Sequence, residues 1–181
     1  MKKALFLFVV FIFVIVLVLL VNSKKPPSPQ NFFGGFGDIK PGSSTRTIIE
    51  NNLGPPLSSE QIDNGSISKY GSDNKYWTND VYYKGDVVRL TITKILPPQN
   101  TSFSKQVSTI GEKPTTLYGH ESNIGILLYV YLGSGVAFLA NKEQDIVYEE
   151  WKFVPTNIAS FLSFPETKGF AVEKTGSGPE L

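Results

Sequence analysis

The sequence predicts a mostly β protein: one N-terminal transmembrane helix, an extended Pro/Gly-rich arm, and then a small antiparallel β-sandwich or barrel. Three observations carry this. Ala4 to Val21 is an apolar block without a charge, a Gly or a Pro. The stretch from Pro26 to Ser72 holds 6 Pro and 7 Gly in 47 residues. From Lys75 onward apolar residues recur with period two between turn residues, the pattern of short antiparallel strands. The division that follows is 1–23 anchor, 24–74 arm, 75–173 β-domain and 174–181 tail.

The apolar block, Ala4 and Leu5 through Val21, comprises 18 residues. As a helix it measures about 27 Å, close to the hydrocarbon thickness of a bilayer. Its β-branched residues would favour a strand in water, but in lipid each backbone group must be satisfied within its own segment, which a helix achieves alone. Lys2 and Lys3 also suit the basic region of a cleavable signal. Against cleavage, the block exceeds the roughly 7–15 apolar residues of such a signal, and Val21-Asn22-Ser23 is a poor cleavage site. A retained single-pass anchor is expected. Lys24 and Lys25 nearly balance the positive charge before the span; the short N-terminal flank is slightly more positive, which puts the bulk of the chain on the non-cytoplasmic side or within a membrane-containing virion.

The arm is expected to leave the membrane extended through Lys24-Lys25-Pro26-Pro27-Ser28-Pro29 and then to carry Phe32, Phe33 and Phe36 on a Gly-rich backbone. Those rings either pack at the lipid headgroups or on the chain's own domain, or they form a short docking peptide for a partner's groove. Two helical turns are read within the arm, near Thr45 to Asn51 and near Ser58 to Asp63, where Ser58 and Gln61 have capping-box spacing. An arm of 51 residues would reach roughly 40 Å as a coil.

In the β-domain, the turn Lys84-Gly85-Asp86 introduces a strand in which Val88, Leu90 and Ile92 are expected on one face. Pro97-Pro98-Gln99-Asn100 ends it. Ile124 to Leu132 is apolar on both faces, as for a strand covered by a second layer. Gly133-Ser134-Gly135 supplies a hairpin turn into Val136 to Ala140. After a turn at Asn141 to Gln144, Asp145 to Phe153 is read as a strand with Val147, Trp151 and Phe153 on one face. Thr156 or Asn157 then caps a short helix bearing Ile158, Phe161 and Leu162, and Gly169 to Glu173 is read as a last edge strand.

Composition excludes much chemistry. The chain has no Cys and one His, His120, so thiol catalysis, disulfides and Cys-based zinc sites are ruled out. The formal charge is +1, and without Lys2 and Lys3 there remain 15 Lys/Arg against 16 Asp/Glu, so no basic surface for nucleic acid is expected. His120 and Glu121 are adjacent; on a strand they would point to opposite faces and could not act as base and orienter. No Walker loop, dinucleotide fingerprint, His-Glu-x-x-His or Gly-x-Ser-x-Gly motif occurs. In Asn141-x-Glu143-x-Asp145 the oxygen ligands alternate, yet Ile146 stands where a calcium loop of the EF-hand kind needs Gly, so a solvated turn is expected. No catalytic residue, metal or cofactor is expected.

Tyr83-Lys84-Gly85-Asp86-Val87-Val88-Arg89-Leu90-Thr91-Ile92-Thr93 resembles the Lys-Gly-Asp strand opening of cupredoxin-like domains over eleven residues. Their copper is held by two His and a Cys, which this chain cannot assemble, so the resemblance implies a metal-free sandwich. With Trp77 nearby the same string resembles small chitin-binding modules, whose remaining aromatic and glycine pattern is missing here. Asn64-Gly65-Ser66 and Asn100-Thr101-Ser102 fit the glycosylation rule.

The junction of arm and domain is rich in aromatics, among them Tyr76, Trp77 and Tyr82, which serve either as core or as contact surface. The expected role is a non-enzymatic, membrane-anchored tether. Its partners are lipid and other proteins, through Phe32, Phe33, Phe36, Tyr76, Trp77 and Tyr82, in a setting such as a virion whose membrane is tied to a protein shell (a minor capsid or virion membrane protein). The competing expectation is a carbohydrate-binding or adhesion module of a cell surface using Tyr76, Trp77 and Tyr82.

Overall fold

The computed structural model describes residues 36–37, 39–72, 74–96 and 102–173. The expected span Ala4 to Val21, Phe32, Phe33, the Pro97–Asn100 turn and the 174–181 tail lie outside them. Among the described residues no helix is long and apolar enough to cross a membrane.

Eight strands form one antiparallel sheet: β1 (Ser58–Ile62), β2 (Gly65–Gly71), β3 (Thr78–Lys84), β4 (Val87–Lys94), β5 (Thr115–Leu117), β6 (Ile126–Tyr131), β7 (Val136–Asn141) and β8 (Ile146–Phe153). Their spatial order is β1-β2-β3-β4-β8-β7-β6-β5, so two meanders meet at the β4–β8 pair, where Leu90 lies opposite Phe153 and Ile92 opposite Trp151. The helices are short: α1 (Arg46–Leu53), α2 (Phe103–Val107) and α3 (Ile158–Phe161).

One face of the sheet carries a continuous apolar cluster from Ile67 on β2 to Leu117 on β5, including Tyr82, Leu90, Ile92, Leu128, Val130, Trp151 and Phe153. Seven interstrand spacings make a flat sheet about 34 Å wide, whereas one helix covers about 10 Å. Leu90, Leu117, Leu128 and Val130 are nonetheless fully buried. The sheet therefore wraps around this face, with Phe161 of α3, Phe164 and Phe170 filling the concavity against Trp151 and Phe153.

The convex face is closed by two separate plugs. Phe36, Ile39, Ile49 and Leu53 cover Tyr70, Val81, Tyr83 and Val88. Phe103 of α2 covers Tyr129, Tyr131, Phe138, Ala140 and Val147. Each plug is held by polar contacts at its edge. Thr45 caps α1, and Arg46 lies 4.1 Å from the centroid of the Tyr83 ring while donating to Ser68 Oγ at 3.0 Å and Ser66 Oγ at 2.6 Å. Asp145, in a left-handed conformation with φ 56°, accepts from Ser102 Oγ at 2.5 Å and from Ser104 N at 2.7 Å, fixing the start of α2.

Several expectations are corrected. The sheet begins at Ser58, inside the segment read as arm, and the folded part reaches back to Phe36. The segment read as a helical turn from Ser58 to Asp63 is strand β1 followed by a turn, because the tight Asp63-Asn64 loop pairs Ile62 with Gly65 and commits both flanks to a hairpin. Gly65 is required there, since at φ 152° a Cβ would run into the Tyr83 carbonyl oxygen. Val88 does not share a face with Leu90: the register shifts so that Tyr82 opposes Leu90 while Tyr83 opposes Val88, leaving Arg89 unpaired in a bulge. Val147 likewise parts from Trp151 and Phe153 at a shift between Leu139 and Ala140 that bypasses Tyr148. Gly169 to Glu173 contributes one bridge, Ala171 to Tyr118, and no strand, so β5 stays an edge. The central alternation of β6, the hairpin at 133–135 and the Asn157 cap of α3 form as read from sequence.

Candidate functional site

Following strand direction, one end of the sheet gathers the approach to β1, the β2–β3 loop, the turn after β7 and the 118–125 segment, because Ser58 pairs with Lys69, Gly71 with Thr78, and Asn141 with both Ile126 and Ile146. Two features lie there: a charged cleft on the concave side and a group of exposed apolar side chains.

The cleft, of about 560 Å³, is lined among others by Asp80, Lys94, His120, Glu149, Glu166 and Trp151. Antiparallel pairing places Asp80, Lys94, Glu149 and Trp151 on the concave face, in line with Tyr82, Leu90 and Phe153, while His120 and Glu166 come from turns. Glu149 forms an ion pair with Lys94 on the neighbouring strand and accepts the indole N–H of Trp151 at 2.7 Å. Asp80 accepts from Thr78 Oγ1 at 2.8 Å. Burial holds the Asp80 carboxyl above its ordinary value, against the lowering influence of Thr78, Lys69 and Lys94. Burial likewise raises Glu166, which faces the Tyr82 phenol and keeps one oxygen without a hydrogen-bond partner. Burial first, and then the Glu166 carboxyl, push the Tyr82 phenol far up. These groups tie β3, β4, β8 and the 165–167 turn together across the concave face. Among the described residues no group of three or more His, Asp or Glu could hold a metal.

His120 and Glu121 both line the cleft, contrary to the opposite-face expectation, because they sit in a turn after β5 where strand alternation does not apply. A second cleft, of about 800 Å³, opens at the other end among Gln61, Asn64, Arg89 and Phe164. Sequence reading singled out neither cleft: their charged residues are spread over three strands and several turns, and only the fold brings them together.

The aromatics named from sequence separate into two groups. Phe36 is 4% exposed and stacks edge-on against Tyr70 with ring centroids 6.1 Å apart, so its ring is not open to a partner's groove. Tyr82 is 5% exposed on the concave face, away from the loop that carries Tyr76 and Trp77. Tyr76 is 78% and Trp77 48% exposed. Ser72 Oγ donates to Trp77 O at 2.9 Å, Tyr76 N donates to Asn74 Oδ1 at 2.9 Å, and the Lys75 ammonium lies 4.8 Å from the Tyr76 ring centroid. The three-ring platform of Tyr76, Trp77 and Tyr82 therefore does not assemble.

The fold defines the class as far as the comparisons allow, a mostly β antiparallel domain. No protein-family model matches the chain, and no curated protein and no solved structure matches it.

Proposed function

We propose that this chain is a non-enzymatic, single-pass membrane-anchored tether whose β-domain and N-terminal arm dock onto other proteins, tying a membrane to a protein assembly such as a virion shell. The supporting observation is the way the chain enters the domain. Phe36 is locked beneath α1 with only 14 residues between it and Val21, so tension on an anchor in residues 4–21 passes directly into the core formed by Phe36, Ile39, Ile49, Leu53 and Tyr70. A link that ended in a surface turn would peel; one plugged into a sheet resists. The outer edge of β1, exposed along Ser58 to Gln61, offers unpaired backbone groups to a partner.

Alkaline extraction of native membranes with intact-mass measurement tests the anchor: the chain should stay in the membrane fraction with Met1 to Val21 intact. Cross-linking in the native particle tests the docking and should join the β-domain to shell proteins. Release as a shortened monomer that cross-links to nothing refutes the proposal. Exposure of Tyr76 and Trp77 favours a second reading, a glycan-binding module; titration with oligosaccharides should then quench or shift Trp77 fluorescence, and a flat response rejects it.

A further inference from the structure

Among the described residues six large apolar side chains are notably exposed, and their distribution is uneven. Leu57, Tyr76, Trp77, Ile124 and Val172 all belong to the end of the sheet described above; Ile48 on α1 is the exception. Leu57 N bonds to Lys69 O beside the start of β1, the 74–77 loop joins β2 to β3, Ile124 precedes β6, and Val172 follows the Ala171 bridge to Tyr118 just beyond β5. The first residue of the folded part packs over the half of the convex face nearer this end. Phe36 packs on Tyr70, and Tyr70 precedes Gly71, the last residue of β2 before the Tyr76 loop.

We infer that this end of the sheet rests on the lipid surface, with Tyr76 and Trp77 seated among the headgroups, Leu57 beside them at the β1 side and Ile124 and Val172 at the β6–β5 side of the same end. The inference rests on the anchor reading above and assigns it a geometry. The 14 residues between Val21 and Phe36 reach at most about 50 Å and about 20 Å as a coil, which keeps the domain near the bilayer, and of its two ends the apolar one suits that neighbour. Tyr and Trp prefer the headgroup region because a flat apolar ring can be buried while its O–H or N–H stays wet. Lys75, over the Tyr76 ring, can carry its stem along the apolar layer and its ammonium toward phosphate. The same end exposes Lys142 beside Glu121 and Glu143, so it has no net positive field, and the contact is apolar and aromatic, insensitive to salt and to anionic lipid. The opposite end and the β1 edge are then the surfaces left for a protein partner.

The test uses the full chain in phosphatidylcholine vesicles, with and without bromine on the upper acyl chain. Of the two Trp residues, Trp151 is 3% exposed within the core and serves as the internal reference. Bromolipid should remove the Trp77 emission, the effect should vanish in Trp77→Phe, and it should persist at high salt. If the chain floats with the vesicles after alkaline washing but bromine leaves its emission unchanged, the lipid seat is refuted while the anchor stands. If it does not float, anchor and seat fail together. Tyr76→Ser, at a highly exposed position that leaves the fold intact, should weaken the quenching; unchanged quenching in that variant together with Lys75→Glu refutes the role assigned to this loop.

Discussion

Phe36→Ala separates a folded entry segment from a passive arm. The Phe36 ring is almost fully buried, touches the Tyr70 ring edge-on and closes a cluster with Ile39, Ile49 and Leu53. Burying a Phe side chain contributes about 2–3 kcal/mol and an edge-to-face pair about 0.5–1 kcal/mol more. Phe→Ala in a core costs about 3–5 kcal/mol, and Phe36 lies where the chain enters, so the site can partly collapse; about 3 kcal/mol is expected. For a domain of this size that lowers Tm by roughly 10 °C. The assay is urea unfolding followed by circular dichroism and by Trp151 fluorescence, with Trp77→Ala as the exposed control, expected to change stability by about 0.5 kcal/mol or less. A Phe36→Ala cost below about 1 kcal/mol, or equal to the control, would falsify the claim that the anchor pulls on the core.

Four further outcomes follow from particular contacts. Gly65→Ala forces a Cβ onto the Tyr83 carbonyl oxygen and should break the β1–β2 hairpin, costing more than about 2 kcal/mol in denaturant titration; a smaller loss refutes the tight turn. Lys94→Met strands the Glu149 carboxylate in the cleft and should cost about 2 kcal/mol, while Lys94→Met with Glu149→Gln should recover most of it, as a double-mutant cycle reads directly. Asp80→Asn should raise stability at pH 7. Burial holds the native pKa of Asp80 above its ordinary 3.8, so the native state favours the protonated form; the stabilisation is present at low pH and is lost as pH rises through the native pKa, and thermal melts from pH 3 to 7 should show a variant advantage that grows with pH. Glu112 behaves oppositely. It accepts from Gly133 N at 2.9 Å, from Ser134 N at 2.9 Å and from Ser134 Oγ at 2.9 Å, and these donors, Gly133 first, hold its carboxyl below the ordinary 4.5. Its contribution is present above that value and disappears as pH falls through the native one, so Glu112→Gln should be less stable than wild type at pH 7 and equal to it in acid.

The antiparallel architecture was legible wherever period-two patterning met an unambiguous turn. β6, the Gly133-Ser134-Gly135 hairpin, β7 and the Asn157 cap were readable for that reason. The two misassigned faces have one cause: a bulge adds a residue to one strand without leaving a hydrophobic signature, so Val88 and Val147 moved to the convex side while the pattern still read as continuous alternation. The first two strands were hidden by their composition. β1 is Ser-Ser-Glu-Gln-Ile and β2 begins Gly-Ser-Ile-Ser, weak strand formers held by pairing with β3. Asp63-Asn64-Gly65 was the available hairpin signal, but its Asn-Gly-Ser was read as a glycosylation triplet. The clefts were not legible, since Asp80, Lys94, Glu149 and Glu166 meet only through the β3–β4–β8 register and the turn that covers it.

The bulges also bear on where function can lie. By turning Val88 and Val147 outward they give each meander a residue on the convex face, and each plug, one from Phe36 and α1, the other from Phe103 and α2, closes over one of them. With the concave face filled by Phe161, Phe164 and Phe170 except for the charged cleft at one end, neither broad face of the sheet offers a wide open surface. Contact with another surface must then use an edge or an end. One edge, β5, is short and partly bridged by Ala171, which leaves the β1 edge for a protein strand. Of the two ends, the one with the β2–β3 loop carries five of the six large apolar side chains exposed among the described residues, whereas the other presents Asp63, Lys84, Asp86 and Arg89. A polar end suits water and an apolar one does not, so under the proposed anchoring the apolar end would face the bilayer, leaving the β1 edge and the polar end for a protein partner.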